Sequence, residues 1–405
     1  MPSPRFSFRY LLPALAGTLL LASCGGGGGN GDTPTPPPAS GGLQPSASLA
    51  NMCTLETEKK FVRSYLDEVY LWWNEIPAVN AADYATVSAY FNALLVRTPD
   101  ATGQPKDRFS TVLTTAGANA LQSAALPIVA PSSSPVPLAK VVTSPGGRKV
   151  GYVLFNDHDE GAQDALIAAF EGVRDAAVQD LVLDMRYNSG GFLYTARTAA
   201  SMVTGPQAEG RIFEQVRYNS KRQAETAAST YTFSSRLQTA ETRFPTGYAL
   251  PQLKLPRLYV LTSGLTCSAS ESIVNSLRGI DVQVILVGET TCGKPYGFRR
   301  KDNCGLAFFP IEFQGYNAKD FGDYQNGFAP TCAVADDFNS VLGAPNEPLL
   351  AAALKHADTG SCPAGTAAPA TKSLLADGLA LPARANTPAT ARAPWDGRLL
   401  APQRQ

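Results

Sequence analysis

Between Val287 and Phe298 the chain reads "VGETTCGKPYGF": Gly288, four residues, then Gly293 and Lys294, the spacing of a phosphate-binding loop up to its last position. Such a loop needs a Ser or Thr after the lysine to hold magnesium, and then a helix whose N-terminus faces the anion. Position 295 is proline, "PYGF" does not continue as a helix, and Glu289 would set a negative charge beside the phosphates. Lys294 therefore needs a different partner. Twenty-six residues upstream lies "TCSASES", Thr266 to Ser272, where a strand ends and a helix begins. A serine at a helix N-terminus sits beside backbone N–H donors and the positive end of the dipole, both of which stabilise an alkoxide or oxyanion. Ser270 with Glu271 reads as N-cap chemistry, which leaves Ser268 as the candidate nucleophile; another capping hydroxyl is the alternative. A third loop, "DLVLDMRYNSGG", ends a strand in Gly190 and Gly191, where backbone N–H groups can approach a ligand closely, unless it is a plain strand-ending turn. Serine, lysine and a glycine pair together suit acyl transfer: nucleophile, base and oxyanion donors. A lysine can act as base only when its amine is neutral, a form that burial favours. The chain has two histidines. His356 reads as a surface residue of a late helix, and His158, in "FNDHDE" at another strand end, is the candidate base of a serine/histidine alternative.

These loops cooperate only if strands bring them to one sheet edge. From Lys149 onward, "KVGYVLFND" reads as a buried strand, "EGAQDALIAAFEGVRD" as a helix and "DLVLDM" as the next strand; "RLYVLTS" and "VQVILVG" repeat the arrangement around the helical "SASESIVNSLRG". Strand, helix, strand units imply a layered α/β domain with functional loops at strand ends. Upstream, Val62, Tyr65, Leu66, Val69, Tyr70 and Trp73 recur at helical spacing between Leu55 and Ile76, a helix that Pro77 stops. Asp83 is a good N-cap for a second helix through Val87, Tyr90, Phe91, Leu94 and Leu95. The aromatic stripe reads as the core of a small helical subdomain over 51–113, not as a ligand site. Residues 114–147, with "APSSSPVP", read as linker, 148–360 as the α/β domain and 361–405 as an Ala/Pro-rich tail, disordered or draped over the domain.

The chain's 405 residues, 44% apolar and 17% charged, are ample for a folded core. Lys+Arg and Asp+Glu both number 34, so the chain has no electrostatic footprint for nucleic acid. Its beginning has Arg5 and Arg9, an apolar stretch from Tyr10 to Leu21 and small residues before Cys24, the layout of a secretory signal over 1–23. "LASC", Leu21 to Cys24, resembles the bacterial lipobox, whose cysteine is acylated, and residues 24–50 read as a flexible Gly/Pro-rich tether. Gly25 after the cysteine implies, by the same resemblance, an outer-membrane destination. With Cys24 lipidated, six cysteines remain in an oxidising compartment, enough for three disulfides. Cys292 and Cys304 flank "GKPYGFRRKDN" and are the first expected pair.

In order and spacing, "DLVLDMRYNSGG", "TCSASESIVNSLRG" and "VGETTCGKPYGF" resemble the three active-site segments of the C-terminal-processing (tail-specific) serine peptidases. "YLWWNEIP" and "DRFS" resemble the N-terminal region of lipoprotein members. The resemblance implies a layered α/β core similar to ClpP and crotonase, with parallel strands and crossover helices. It implies a Ser/Lys dyad with Ser268 as nucleophile and Lys294 as general base, and an oxyanion hole from Gly190, Gly191 and the N–H of Ala269. Protein or peptide substrates, and no metal or nucleotide cofactor, follow from it as well. This chain departs from the pattern twice. Phe298 stands four residues after the lysine, where many members place a glutamine that orients it, and Thr111 to Arg148 is too short for the PDZ domain members commonly carry there. The expectation is an exported, membrane-tethered serine endopeptidase; the alternative is a non-catalytic lipoprotein binding a peptide or apolar ligand in the same cleft.

Overall fold

The computed structural model describes residues 42–101, 103–122 and 134–364. The signal segment, Cys24, most of the tether and most of the tail lie outside these residues. The described end of the tether is not extended: Ser46–Leu49 form a helical turn, with the Ser46 N–H donating to Glu68 Oε1 at 2.7 Å.

Six strands make the central sheet: β1 (Leu138–Thr143), β2 (Lys149–Leu154), β3 (Asp180–Asp184), β4 (Arg257–Thr262), β5 (Gln283–Gly288) and β6 (Cys332–Ala333), in spatial order 6-5-4-3-2-1. Strands β2 to β6 run parallel, and β1 is antiparallel to β2. In β3, for example, Leu181 and Leu183 enter one apolar cluster and Val182 the other, because successive side chains of a strand point to opposite faces. One face is covered by helices α3 (Ala162–Asp175), α4 (Leu193–Val203) and α5 (Ala269–Gly279), and the other by α6 (Pro348–Thr359). Double coverage explains why β2 to β5 read as continuous apolar runs, and it makes the layered α/β architecture expected from the sequence. Strand β1 lies within the stretch read as linker. Its side chains alternate between half-buried or buried and exposed, the pattern of an edge strand, and Pro135 and Pro137 beside it obscure so short a signal.

The N-terminal helices are α1 (Leu55–Val69) and α2 (Val87–Ala93). Helix α1 stops well before Pro77. The fully buried Tyr70 leaves it to donate its hydroxyl to Asp107 (2.6 Å), Leu71 N–H pairs with Ile311 O (2.8 Å), and Asn219 caps the carbonyls of Glu68 and Tyr70. The N-cap of α2 is Thr86, not Asp83, since the Thr86 hydroxyl accepts from Ala89 N–H at 3.1 Å. Phe61, Phe91 and Leu94 pack with Phe308, Ile311, Phe192, Tyr296 and Phe298, so the aromatic stripe is core and reaches the loops of the α/β domain.

Disulfides join Cys53 to Cys304, Cys267 to Cys292 and Cys332 to Cys362. The expected Cys292–Cys304 pair does not form. Residues 301–303 and 306–309 pair as a hairpin whose turn, Cys304 and Gly305, has positive φ at both positions (48° and 81°), and this tip meets Cys53 of the N-terminal segment. Cys292 is thereby left to the loop of Cys267.

Candidate active site

Strand β4 delivers Ser268 to the N-cap of α5. Its backbone stands at φ 58°, ψ −114°. For a residue with a Cβ such a conformation costs about 1–3 kcal/mol and persists only where the surroundings over-determine it. Here they do. The Cys267 N–H donates to Asn188 O (3.1 Å), the Ser268 N–H to Glu271 Oε2 (2.9 Å), and the Ser270 hydroxyl to Asn188 O (3.0 Å). Ser270 is thus not the cap: it lies inside the helix and uses its hydroxyl to bind the glycine loop. The Oγ of Ser268 is fully buried and has no hydrogen-bond partner.

The glycine loop follows β3 and is organised by Asn188. Its Nδ2 donates to Phe155 O (3.0 Å), which turns Oδ1 toward the Gly190 N–H (3.0 Å). The Gly190 N–H, expected as an oxyanion donor, is therefore occupied. What Gly190 contributes is the absence of a side chain: at its φ of 101° a Cβ would lie 2.9 Å from Ala269 N, Cys267 O and Ser268 Cβ. The N–H of Gly191 makes no backbone hydrogen bond, and that of Ala269, first residue of α5, has no partner within its helix. Both remain available to a ligand oxygen.

His158 lies beside this loop. Its N–H donates to Gly190 O (3.3 Å) and its carbonyl accepts from Phe192 N–H (3.1 Å). Since Asn188 Oδ1 is an acceptor, the 2.9 Å contact to His158 Nδ1 requires the proton on Nδ1. Burial pushes the imidazole down to about 3, so it is neutral at working pH. Neither its Nε2 nor Ser268 Oγ has a hydrogen-bond partner, so the two are not joined. His356, read as a surface residue, is buried on α6, with Nδ1 3.1 Å from the Tyr259 hydroxyl.

Strand β5 delivers the lysine loop. The Cys267–Cys292 disulfide, with Cα atoms 5.2 Å apart, ties the residue before Ser268 to the one two before Lys294, and Cys292 N–H donates to Thr266 O at 3.0 Å. Gly293 has φ 85°, and a Cβ there would fall 2.1 Å from Gln325 O, so this glycine serves backbone-on-backbone packing. Lys294 is fully buried, its Nζ 4.6 Å from the Phe298 ring centre and 5.2 Å from that of Phe109. Phe298 is thus one wall around the lysine, and Tyr296–Gly297 between them pair with the strand Phe313–Tyr316. Phe109 belongs to "DRFS", every residue of which has a structural task. Asp107 accepts from the N–H groups of Phe109 and Ser110 (3.0 and 2.9 Å), Arg108 donates to Gln325 O (2.6 Å), and the Ser110 hydroxyl accepts from Ile311 N–H (2.8 Å).

Sequence reading missed Asn188 and Phe109, and gave Glu271 only a capping role with Ser270. Glu271 is fully buried, and its carboxylate accepts from Ser268 N–H, Thr291 Oγ1, Gly293 N–H and Lys294 N–H. Desolvation raises its pKa, and the converging donors oppose that shift. Its spacing three residues after Ser268 is that of a capping box, the one signal that could have found it. Among the described residues, each group of side chains with metal-ligand spacing centres on a disulfide, whose sulfurs have no thiolate to offer.

Residues 149–334, which hold all three loops, match the sequence model of "Peptidase family S41", and residues 57–111, which hold "DRFS", match that of "Peptidase S41 N-terminal domain". The chain belongs to peptidase family S41. It is a serine peptidase, with protein substrates. Among solved structures, this S41 peptidase is similar to a candidate S41 protease from Bacteroides fragilis, at 20% identity and a TM-score of 0.61, over 74% of this chain and 97% of that one. A lipoprotein from Streptococcus agalactiae (11% identity, TM-score 0.47, 70% and 92% covered) and the photosystem II D1 C-terminal processing protease (19%, 0.39, 54% and 55%) also match. Only the first is close enough to bear on the fold, and it agrees with the layered α/β core. No curated protein matches the chain.

Proposed function

We propose that this S41 peptidase is an exported endopeptidase that cleaves proteins through an acyl-enzyme on Ser268, with Lys294 as general base. One observation carries the reading: Ser268, held in a strained backbone at a helix N-terminus, keeps a buried hydroxyl without a hydrogen-bond partner. The lysine amine takes the hydroxyl proton as Oγ attacks the peptide carbonyl, and the developing oxyanion is met by the N–H groups of Gly191 and Ala269. The ammonium then protonates the leaving amine. In the second half Lys294 deprotonates a water, which attacks the ester and releases Ser268. Lys294 is fully buried beside the rings of Phe109 and Phe298, and burial is the general means by which a lysine amine is kept neutral enough to act as a base. Ser268 Oγ and the amine are not hydrogen-bonded to each other; catalytic hydrogen bonds are often long outside the complex with substrate and tighten within it.

Labelling with a serine-reactive fluorophosphonate tests the dyad. Wild type and His158→Ala are expected to react, and Ser268→Ala and Lys294→Ala are not. Labelling that persists in Ser268→Ala sinks the site, and loss in His158→Ala but not in Lys294→Ala transfers the base to histidine.

The proposal includes attachment of the mature protein to a membrane, by resemblance the outer membrane, through an acylated Cys24. The signal layout and the three disulfides support an oxidising compartment. Native protein should pellet with membranes and a Cys24→Ser variant should not; equal partitioning of the two excludes the anchor.

A further inference from the structure

We infer that Glu271 is a positioning residue for the peptidase reaction, holding the backbones of nucleophile and base in register through one carboxylate. The inference rests on the Ser268/Lys294 reading. Glu271 Oε2 accepts from Ser268 N–H (2.9 Å) and from Lys294 N–H (2.8 Å), so a single oxygen atom joins the two residues whose side chains must exchange a proton. Oε1 accepts from Thr291 Oγ1 (2.6 Å) and Gly293 N–H (2.9 Å), fixing the approach of the lysine loop. Four donors converge on two oxygens, and an ionised carboxylate accepts all four without offering a proton of its own. Glu271 also bonds the backbone N–H of Ser268 within the strained turn and helps hold φ at 58°, while Ser268 Oγ stays unpartnered.

The disulfide does not make this carboxylate redundant. Cys267–Cys292 limits how far the loops can separate, but a bridge of single bonds leaves their relative rotation open. Glu271 bonds the very peptide units that carry Ser268 and Lys294, and so sets their orientation. Proton transfer depends steeply on that geometry: a displacement of about 1 Å can cost about 100-fold in rate.

The test compares Glu271→Gln and Glu271→Asp with wild type on dye-labelled denatured casein, with fluorophosphonate titration of active sites in each preparation. Glutamine turns an NH2 group toward the converging donors, and aspartate keeps the charge but is one methylene too short to span both loops. Expected is a fall in kcat per titrated site of about 30- to 100-fold for Gln and about tenfold for Asp, with KM changed less than about threefold. A purely structural role would lower the fraction of titratable sites and leave kcat per site at the wild-type value; that result overturns the inference, as does a folded Gln variant with wild-type kcat. Should Gln not fold, a wild-type kcat in Asp overturns it, and a slowed, fully titratable Asp supports it. Failure of the dyad itself shows separately, as labelling of the wild-type background that survives Ser268→Ala.

Discussion

Lys294→Met is expected to lower kcat on an unfolded protein substrate by on the order of 10²- to 10⁴-fold, the range a general base supplies, with KM changed by less than about threefold. Methionine keeps the unbranched length of the lysine stem and suits contact with the rings of Phe109 and Phe298, so the pocket stays filled. The variant also removes a fully buried amine. With the pocket filled, the fold should be kept while catalysis falls, a combination that separates loss of a base from loss of fold. The measurement is kcat, KM and Tm on the same preparations. A variant within about fivefold of wild-type kcat would remove Lys294 from the mechanism.

Gly190→Ala should cost nearly as much by another route. The added Cβ meets Ala269 N, Cys267 O and Ser268 Cβ, each at 2.9 Å, and none of these is the far end of a flexible side chain. Something in the backbone must shift, and the φ of 101° is unfavourable to alanine in any case. The displaced parts are the turn that carries Ser268 and the loop that presents Gly191 N–H. Because loss of one oxyanion donor costs about 10²- to 10³-fold in kcat, a fall of that order is expected, with Tm lowered by several degrees. The same loop rests on Asn188 and His158, so His158 contributes by supporting the glycines while staying neutral. A folded Gly190→Ala enzyme within about fivefold of wild type would show that the oxyanion is held elsewhere.

Much of this site was legible because its parts are local. Apolar runs marked β2 to β5, helical periodicity marked α3 and α5, and each loop sits where a run ends. Ser268, Lys294 and Gly191 could be picked by residue type and by their places at strand ends. The capping assignment failed because Ser268 and Ser270 have the same local credentials; the choice between them is made by Asn188, about 80 residues earlier in the chain, whose carbonyl takes the Ser270 hydroxyl. The α1 boundary failed for a similar reason: Tyr70 fits the helical stripe but is drawn out of it by Asp107 and Ile311.

The sequence by itself determined the layered α/β class, the three loops and the chemistry their residues can do, since periodicity and turn composition act over a few positions. The tertiary structure alone decided which cysteines pair, that Gly190 serves by its missing side chain while its N–H binds Asn188, and that Glu271 joins nucleophile to base. It also put Phe109, 185 positions from Lys294, beside the amine where Phe298 replaces the expected glutamine. Each of these outcomes depends on contacts between segments far apart in the chain, and local spacing carries no record of which distant donor, ring or sulfur will arrive.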